Sequence, residues 1–155
     1  AVGRGRAYPL YVPLLLGDPQ AVTTLLRQPG IADAVRLFDA ITVATVAVGS
    51  WDPPDSQLFD AVPADERTRL TEQGIVGEIC TSLLRADGST VDTLQSRAIA
   101  VSVEQLRRIR DIIVVAGGAH KARAVLAGIR AKLVTTLVTD RSLAAALMDL
   151  ADDAG

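Results

Sequence analysis

A glycine pair followed closely by a lysine is the part of this sequence best suited to chemistry. The segment VVAGGAHKARAVLAGI, residues 114–129, begins as a β-branched run, breaks at Gly117 and Gly118, and continues as a helical pattern with Lys121 in its first turn. Glycines allow close approach to the backbone, a helix start presents unpaired N–H groups, and Lys121 adds a positive charge. The segment predicts a phosphate-binding corner. The alternative is an ordinary strand-to-helix turn with a solvated Lys121.

The glycine spacing separates this corner from two kinds of nucleotide site. It runs Gly-Gly-Ala-His-Lys and lacks the G-x-G-x-x-G pattern that binds a dinucleotide. It also differs from a Walker loop, because its first glycine precedes Lys121 by four positions and Ala122, not Ser or Thr, follows the lysine. A single phosphate group is the ligand that fits this pattern best.

Glu78 is an acidic residue inside an otherwise apolar strand pattern, directly after Gly77. A buried carboxylate is costly unless polar groups meet it, so the side chain faces either solvent or a ligand pocket. Most such acids lie on a solvated face, and the residues alone favour that interpretation.

The remaining polar candidates offer little catalytic chemistry. His120 is the only histidine; it can donate to an anion, but no second histidine exists for a metal site or proton relay. Asp52 and Asp55 flank a proline pair and are interpreted as turn residues, with a contact to a sugar hydroxyl as the alternative. Cys80 is expected to be a small buried residue, and no serine has a histidine in the context of a hydrolase triad.

Three apolar, β-branched runs predict buried strands of a parallel sheet, at residues 41–49, 111–118 and 133–140. Helical patterns follow the last two runs, over residues 121–130 and 141–150. We therefore predict an α/β fold with a Rossmann-like, open and mostly parallel sheet, flanking helices and ligands beyond the carboxyl ends of the strands. The residues expected to line that rim are Gly49, Gly117 and Asp140, the last also capping the final helix.

The rest of the chain predicts an arm, short helices and a hairpin. Residues 6–16 contain two prolines and are expected to form an edge strand or an extended arm. Short helices are expected after Asp18, after a break at residues 29–30, over residues 64–73 and after Ser102. A long loop spans residues 50–63, and an Asp-Gly pair at 87–88 predicts an inserted β-hairpin.

Composition sets the protein class. With 155 residues and 49% hydrophobic content, the chain is long and apolar enough to form one domain with a core. Its net charge of −2, with the signs interleaved, argues against DNA binding by this chain alone. One cysteine excludes an internal disulfide and fits the cytoplasm. No apolar run reaches the roughly 18 residues that a membrane-spanning helix needs. The sequence starts at Ala1 without a signal segment, and we therefore expect it to be a piece of a longer protein.

Five segments of the sequence resemble a known family. The segments YPLYVP, VAVG, GIVGEICTSLLRADGSTVDT, SVEQLRRIRDIIVVAGGAHKARAVLAGI and LVTTLVTD resemble the C-terminal effector-binding domain of SorC/DeoR-type bacterial transcriptional regulators. The resemblance covers nearly the whole chain. Its most specific part is G-x-V-G-[DE]-x-C, followed by a D-G hairpin and a V-A-G-G-x-x-K corner.

The resemblance implies a fold similar to sugar-phosphate isomerases and a phosphorylated sugar as effector, with no cofactor and no metal. It implies that Lys121 contacts the phosphate, Glu78 contacts a ligand hydroxyl, Gly117 and Gly118 shape the pocket, and Gly49 lies at its rim. Some family members carry an arginine in the loop after the strand ending at Gly49, whereas residues 50–59 have no basic residue here. A monophosphate is therefore expected rather than a bisphosphate.

The resemblance also implies partners. It makes residues 1–155 the C-terminal part of an effector domain, with the first half of that domain and a DNA-binding helix-turn-helix upstream of Ala1. DNA would then be bound only through that other domain, and no membrane is involved. A partial sheet exposes apolar surface, so we expect a homo-oligomer or association with the remainder of the protein.

Three functions remain open at the sequence level. The favoured one is a non-enzymatic ligand sensor, in which a sugar phosphate changes oligomerisation and DNA binding. The second is a sugar-phosphate isomerase or deaminase with Glu78 as base and Lys121 as anion clamp, for which the only other acid–base groups near the corner are Asp52, Asp55 and His120. The third is a pure oligomerisation module.

Overall fold

The computed structural model describes residues 5–152, which fold into two sheets and seven α-helices. The strands are β1 (Val43–Val46), β2 (Val48–Trp51), β3 (Pro54–Asp55), β4 (Ile75–Ile79), β5 (Ser82–Arg85), β6 (Thr90–Val91), β7 (Asp111–Ala116) and β8 (Thr136–Thr139). The α-helices are α1 (Pro19–Leu26), α2 (Pro29–Arg36), α3 (Gln57–Ala61), α4 (Ala64–Glu72), α5 (Val103–Leu106), α6 (Ala122–Arg130) and α7 (Arg141–Asp152), and short 3-10 turns occupy Phe38–Ala40, Gln95–Arg97 and Ala119–Lys121.

A three-stranded parallel sheet, in the order β1-β7-β8, confirms the predicted α/β class. Helices α6 and α7 follow β7 and β8 and cover one face of this sheet. Their side chains share one apolar cluster with both sheets, and that cluster includes Ile79, Val114, Val125 and Leu143. Helix α6 therefore lies in the core that joins the two sheets.

The other five strands form an antiparallel sheet in the order β3-β2-β4-β5-β6. It contains the predicted hairpin, and it is larger than an inserted hairpin. The Asp-Gly turn lies between β5 and β6 as predicted, and the Asp87 carboxylate accepts a hydrogen bond from the Ser89 N–H at 2.8 Å. A second turn, with Cys80 at φ +57°, separates β4 from β5, so this cysteine is a half-buried turn residue that packs against the core.

The run 41–49 differs most from its prediction as one strand buried on both faces. It forms two strands, because the chain leaves the parallel sheet after Val46 and enters the antiparallel sheet at Val48. Gly49 lies inside β2 and does not end a strand. An uninterrupted apolar run satisfies the burial needs of either sheet, so its composition does not show where the chain passes from one to the other.

Most of the predicted helices and caps are confirmed. Residues 6–16 form an arm without strand pairing, and the Leu16 N–H donates to the Arg97 carbonyl at 2.7 Å. Helices α1, α5 and α7 begin after Asp18, Ser102 and Asp140, whose side chains accept hydrogen bonds from backbone N–H groups in the first turn. The predicted loop 50–63 contains the short elements β3 and α3.

One face of the parallel sheet has no covering layer in the described part of the chain. Strand register places alternate residues of β1, β7 and β8 on this side, among them Val43, Thr45, Ile113, Val115 and Val138. Val43, Val115 and Val138 are 49%, 48% and 52% exposed. We call these five residues the open face.

Among residues 5–152 no helix is both long and apolar enough to cross a membrane.

Candidate functional site

A cavity of about 520 Å³ lies where β2 and β4 approach the turn that precedes α6. It brings together Gly49, Glu78 and Lys121, three of the five residues predicted to contact a ligand. The other lining residues come from the arm, the passage from β1 to β2, the segment from β3 to the start of α3, and the turn after β4, and they are Leu14, Val46, Ala47, Val48, Asp55, Ser56, Gln57, Leu58 and Cys80. The size is in the range of small-molecule pockets.

The Glu78 carboxylate is buried beside this cavity and does not lie on a solvated face. The residue is 6% exposed, and both carboxylate oxygens are hydrogen-bonded. Oε2 accepts from the Trp51 indole N–H, and Oε1 accepts from the Ser56 hydroxyl at 2.6 Å. Burial raises the pKa of Glu78, while the two hydrogen bonds and the nearby Lys121 charge act in the opposite direction.

Gly49 makes room for that carboxylate. Strand register pairs Gly49 directly with Glu78 across β2 and β4. A Cβ atom on residue 49 would overlap the carboxyl carbon and Oε1 of Glu78, so the acid can fold back over β2 only because residue 49 has no side chain. Gly49 thus acts within the lining of the cavity and not as the end of a strand.

Trp51 and Ser56 are site residues that the sequence did not indicate. The Ser56 hydroxyl accepts a hydrogen bond from the Phe59 N–H at 3.0 Å, so it caps α3 while it donates to Glu78. The Trp51 ring is buried and packs edge-on against Phe59 at 5.2 Å between centroids. An N-cap serine before a short helix is a recognisable sequence signal, but nothing in the spacing connects either residue with Glu78.

The Lys121 ammonium group points into the cavity. Its Nζ donates to the Val48 carbonyl at 3.1 Å and lies 3.0 Å from Asp55 Oδ2. The side chain is 18% exposed, so the alternative of a solvated lysine is wrong. The residue ends the 3-10 turn before α6 and reaches back over the start of β2.

Gly117 and Gly118 do not belong to the cavity lining. The Gly118 N–H donates to Asp140 Oδ2 at 2.8 Å, so the backbone group expected to face a phosphate is bound to a carboxylate of the protein. The reason is the parallel sheet, which brings the carboxyl ends of β7 and β8 to the same edge. The predicted rim is thus divided, with Gly49 in the cavity and Gly117 beside Asp140. The ligand contact of the two glycines stays a prediction.

The loop before α3 is tied to the start of α6 by charged groups. Asp55 Oδ2 lies 2.8 Å from His120 Nε2 and 3.0 Å from Lys121 Nζ, and Asp52 forms an ion pair with Arg123. The hydrogen bonds from His120 and Lys121 hold the pKa of Asp55 below its ordinary value. Both aspartates therefore do more than shape a turn.

Within residues 5–152, no group of three or more His, Cys, Asp or Glu side chains is arranged to hold a metal ion.

Known proteins share sequence with this chain. A family model described as "Putative sugar-binding domain" matches residues 1–149. The transcriptional regulator LsrR of Enterobacter sp. (strain 638) is 28% identical over 144 residues, which make up 90% of this chain and 45% of that protein.

Solved structures share the fold as well. A domain of a possible sugar-binding transcriptional regulator from Arthrobacter aurescens TC1 has a TM-score of 0.77 at 28% identity, covering 88% of this chain and 53% of the other. The full-length sorbitol operon regulator SorC from Klebsiella pneumoniae has a TM-score of 0.79 at 25% identity, covering 87% of this chain and 44% of the other. The chain thus spans about half the length of these relatives.

The Gly49→Ala substitution should destabilise the protein by about 1–3 kcal/mol, because the new methyl group and the Glu78 carboxylate cannot occupy the same space. Chemical denaturation measures this loss. Gly30→Ala, in α2, is the control for an added methyl group, since a Cβ there meets nothing within 4 Å, and it should leave the protein as stable as the wild type or more stable. In a double-mutant cycle, the cost of Gly49→Ala should largely disappear once Glu78→Ala has removed the overlapping group. Additive costs would contradict this account.

The pH dependence of stability should carry a contribution from Glu78. Because folding raises its pKa, the folded state keeps this proton to a higher pH than the unfolded state, whose value is near 4.5. The contribution of Glu78 to the free energy of unfolding is therefore complete below the unfolded pKa and is lost as pH rises through the folded pKa. Relative to wild type, Glu78→Gln should gain unfolding free energy as pH rises from 4 to 8. Denaturation of both proteins across this range measures the difference, and a constant difference would refute it.

Proposed function

The chain belongs to the sugar-binding domain family of SorC/DeoR-type transcriptional regulators, and from this membership we propose that it is the ligand-sensing domain of a DNA-binding regulator of carbohydrate metabolism. The names of the relatives support the proposal, since one is a regulator of a sorbitol operon. We propose that a different part of a longer protein binds DNA, because this chain has a net charge of −2 and spans about half the length of its relatives. Such a regulator acts in the cytoplasm, where bacterial DNA lies.

The proposed effector is a phosphorylated sugar. The observation that carries this proposal is the placement of an ammonium group and a buried carboxylate in one cavity. Lys121 can bind an anionic oxygen, while Glu78 can accept a hydrogen bond from a sugar hydroxyl. Among the lining residues, Lys121 is the only one with a cationic side chain, which supports one phosphate group and not two.

We propose binding without turnover. Isomerisation or deamination of a sugar phosphate needs a general base together with a proton donor, and Glu78 is one of two carboxylates in the cavity lining. The second acid of the cavity, Asp55, is paired with His120 and Lys121. The relatives whose names describe a function are regulators, which also supports a sensor over an isomerase or deaminase.

We also propose that the protein forms homo-oligomers through the open face. This stripe of β-branched residues is half exposed although it crosses all three strands of the parallel sheet, including the central strand β7. Large exposed apolar patches on a sheet mark interaction sites. The same face could instead be covered by another part of a longer protein, and the two arrangements differ in their assembly.

The Lys121→Met substitution tests the effector proposal. A ligand present at 100 times its dissociation constant stabilises a protein by about 2.7 kcal/mol, so sugar phosphates should raise the melting temperature of the wild type. Unphosphorylated sugars serve as controls. Lys121→Met should weaken binding about 10- to 100-fold, because it removes a charged hydrogen bond. Lys132→Met is the matched variant, since Lys132 is the only other lysine and is exposed.

The outcomes of this experiment separate the three functions. Stabilisation that depends on Lys121, without conversion of the sugar phosphate, supports the sensor. Turnover at an ordinary enzymatic rate would replace the sensor by the isomerase or deaminase. If neither stabilisation nor turnover is found with any sugar phosphate, the oligomerisation module is the better description.

The Val115→Lys substitution tests the assembly proposal. Sedimentation velocity should show concentration-dependent association of the wild-type chain, and the lysine should shift it toward monomer because its charge would be buried in an apolar contact. Met148→Lys is the control, since Met148 is 66% exposed on α7, away from the open face. Equal assembly of the Val115→Lys and Met148→Lys variants would place the contact elsewhere. A wild type that is monomeric at every concentration would favour coverage by a longer protein's own chain.

A further inference from the structure

We propose that Asp55 determines the specificity of the cavity by occupying Lys121 until an anionic group of the effector displaces it. The inference rests on the proposed function, because it concerns the cavity assigned there to a phosphorylated sugar. It gives Asp55 a role other than the turn residue or sugar-hydroxyl contact that the sequence suggested.

The first observation is the arrangement of hydrogen bonds around the ammonium group. A lysine ammonium has three N–H donors. At Lys121 one donates to the Val48 carbonyl and another is directed to Asp55 Oδ2, so a single donor is left for a ligand. The same Oδ2 atom contacts His120 Nε2 at 2.8 Å. Asp55 therefore holds the two groups of this corner that can donate to an anion.

The second observation is that Asp55 is weakly held. Its side chain is 51% exposed, and ion pairs at exposed positions contribute little because water and salt screen them. A phosphate dianion carries more charge and more acceptor oxygens than a carboxylate, so it competes well for Lys121 and His120. The Asp55 carboxylate and a phosphate group cannot both contact Lys121 at low cost, because like charges a few ångströms apart repel strongly where water is partly excluded. A neutral sugar has no charge with which to displace Asp55.

The third observation connects this exchange with the rest of the site. Asp55 ends β3, a two-residue edge strand, and Ser56 follows it directly. Ser56 caps α3 and donates to Glu78, so a shift of Asp55 moves a residue that is bonded to the other end of the cavity. Release of Asp55 by the phosphate group is thus coupled to the position of the carboxylate that accepts from the sugar hydroxyls.

The Asp55→Asn substitution tests the proposal with inorganic phosphate as the probe. Asparagine keeps the size and one acceptor oxygen of aspartate, replaces the other oxygen by an NH2 donor, and removes the competing charge. We expect phosphate to bind Asp55→Asn about 3- to 10-fold more tightly than the wild type. Chemical shift titration of the protein measures both affinities, and the indole N–H of Trp51, the only tryptophan, reports on the Glu78 end of the cavity.

Asp52→Asn is the matched control. It removes the same charge from the same loop, but Asp52 is paired with Arg123 and does not line the cavity. At physiological ionic strength its phosphate affinity should stay close to that of the wild type, because Asp52 is paired with Arg123 and not with Lys121, and salt screens its exposed charge. Asp55→Ser is a second variant without the charge, to be used if Asp55→Asn lowers the melting temperature.

The results distinguish this inference from the proposed function. Tighter phosphate binding by Asp55→Asn but not by Asp52→Asn, lost again when Lys121→Met is added, supports both. If phosphate binds the wild type and Asp55→Asn equally well, and binding still requires Lys121, the competitor role of Asp55 is overturned while the phosphate site stands. Phosphate binding that does not depend on Lys121, or no binding by any of the variants, overturns both.

Discussion

The burial of one carboxylate organises the cavity. Glu78 lies between two sheet strands and a short helix, where an ionised acid is costly unless hydrogen bonds replace the water it loses. Trp51 and Ser56 supply those bonds, and Gly49 supplies the space. Each of these residues is explained by the same group, since a side chain at 49, or an apolar residue at 51 or 56, would leave the acid displaced or unsatisfied.

The position of the cavity follows from the path of the chain between the two sheets. After Val46 the backbone leaves the parallel sheet, and at Val48 it enters the antiparallel one. This crossing exposes the Val48 carbonyl to the Lys121 ammonium group, which comes from the turn after β7. A ligand that contacts both Lys121 and Glu78 would therefore join elements of the two sheets, and the cavity exists only because the sheets meet there.

The sequence predicted individual helices and strands better than it predicted the contacts between them. Periodicity and capping residues identified α1, α4, α6 and α7, because these signals are contained within a few neighbouring residues. The division of residues 41–49 between two sheets was missed, since an apolar run carries no mark of a crossing. The hydrogen bond from the Gly118 N–H to Asp140 was missed as well, because it depends on how β7 and β8 align.

The prediction of the candidate site shows the same limit. Lys121 was named from the glycine–lysine pattern and Glu78 received a ligand role from the family resemblance, and the structure places both in one cavity. The pairing of Gly49 with Glu78 across β2 and β4 spans 29 positions, and that of Asp55 with His120 spans 65. Contacts of that kind are fixed by strand register and by the fold as a whole. Residue types at such separations indicate which chemistry is available, but only the folded chain decides which groups meet.

The balance of charge in the cavity limits how a ligand can act on a larger assembly. An effector changes an equilibrium between two states only by the difference in its affinity for them. Here the ammonium group belongs to the turn before α6, while the carboxylate belongs to β4 of the other sheet. A ligand that engages both groups senses the distance between two packed elements, whereas one that engages a single group does not. Under the proposed function, coupling through this cavity would thus require a molecule with an anionic end and a hydroxylated end, which are the two chemical features of a sugar phosphate.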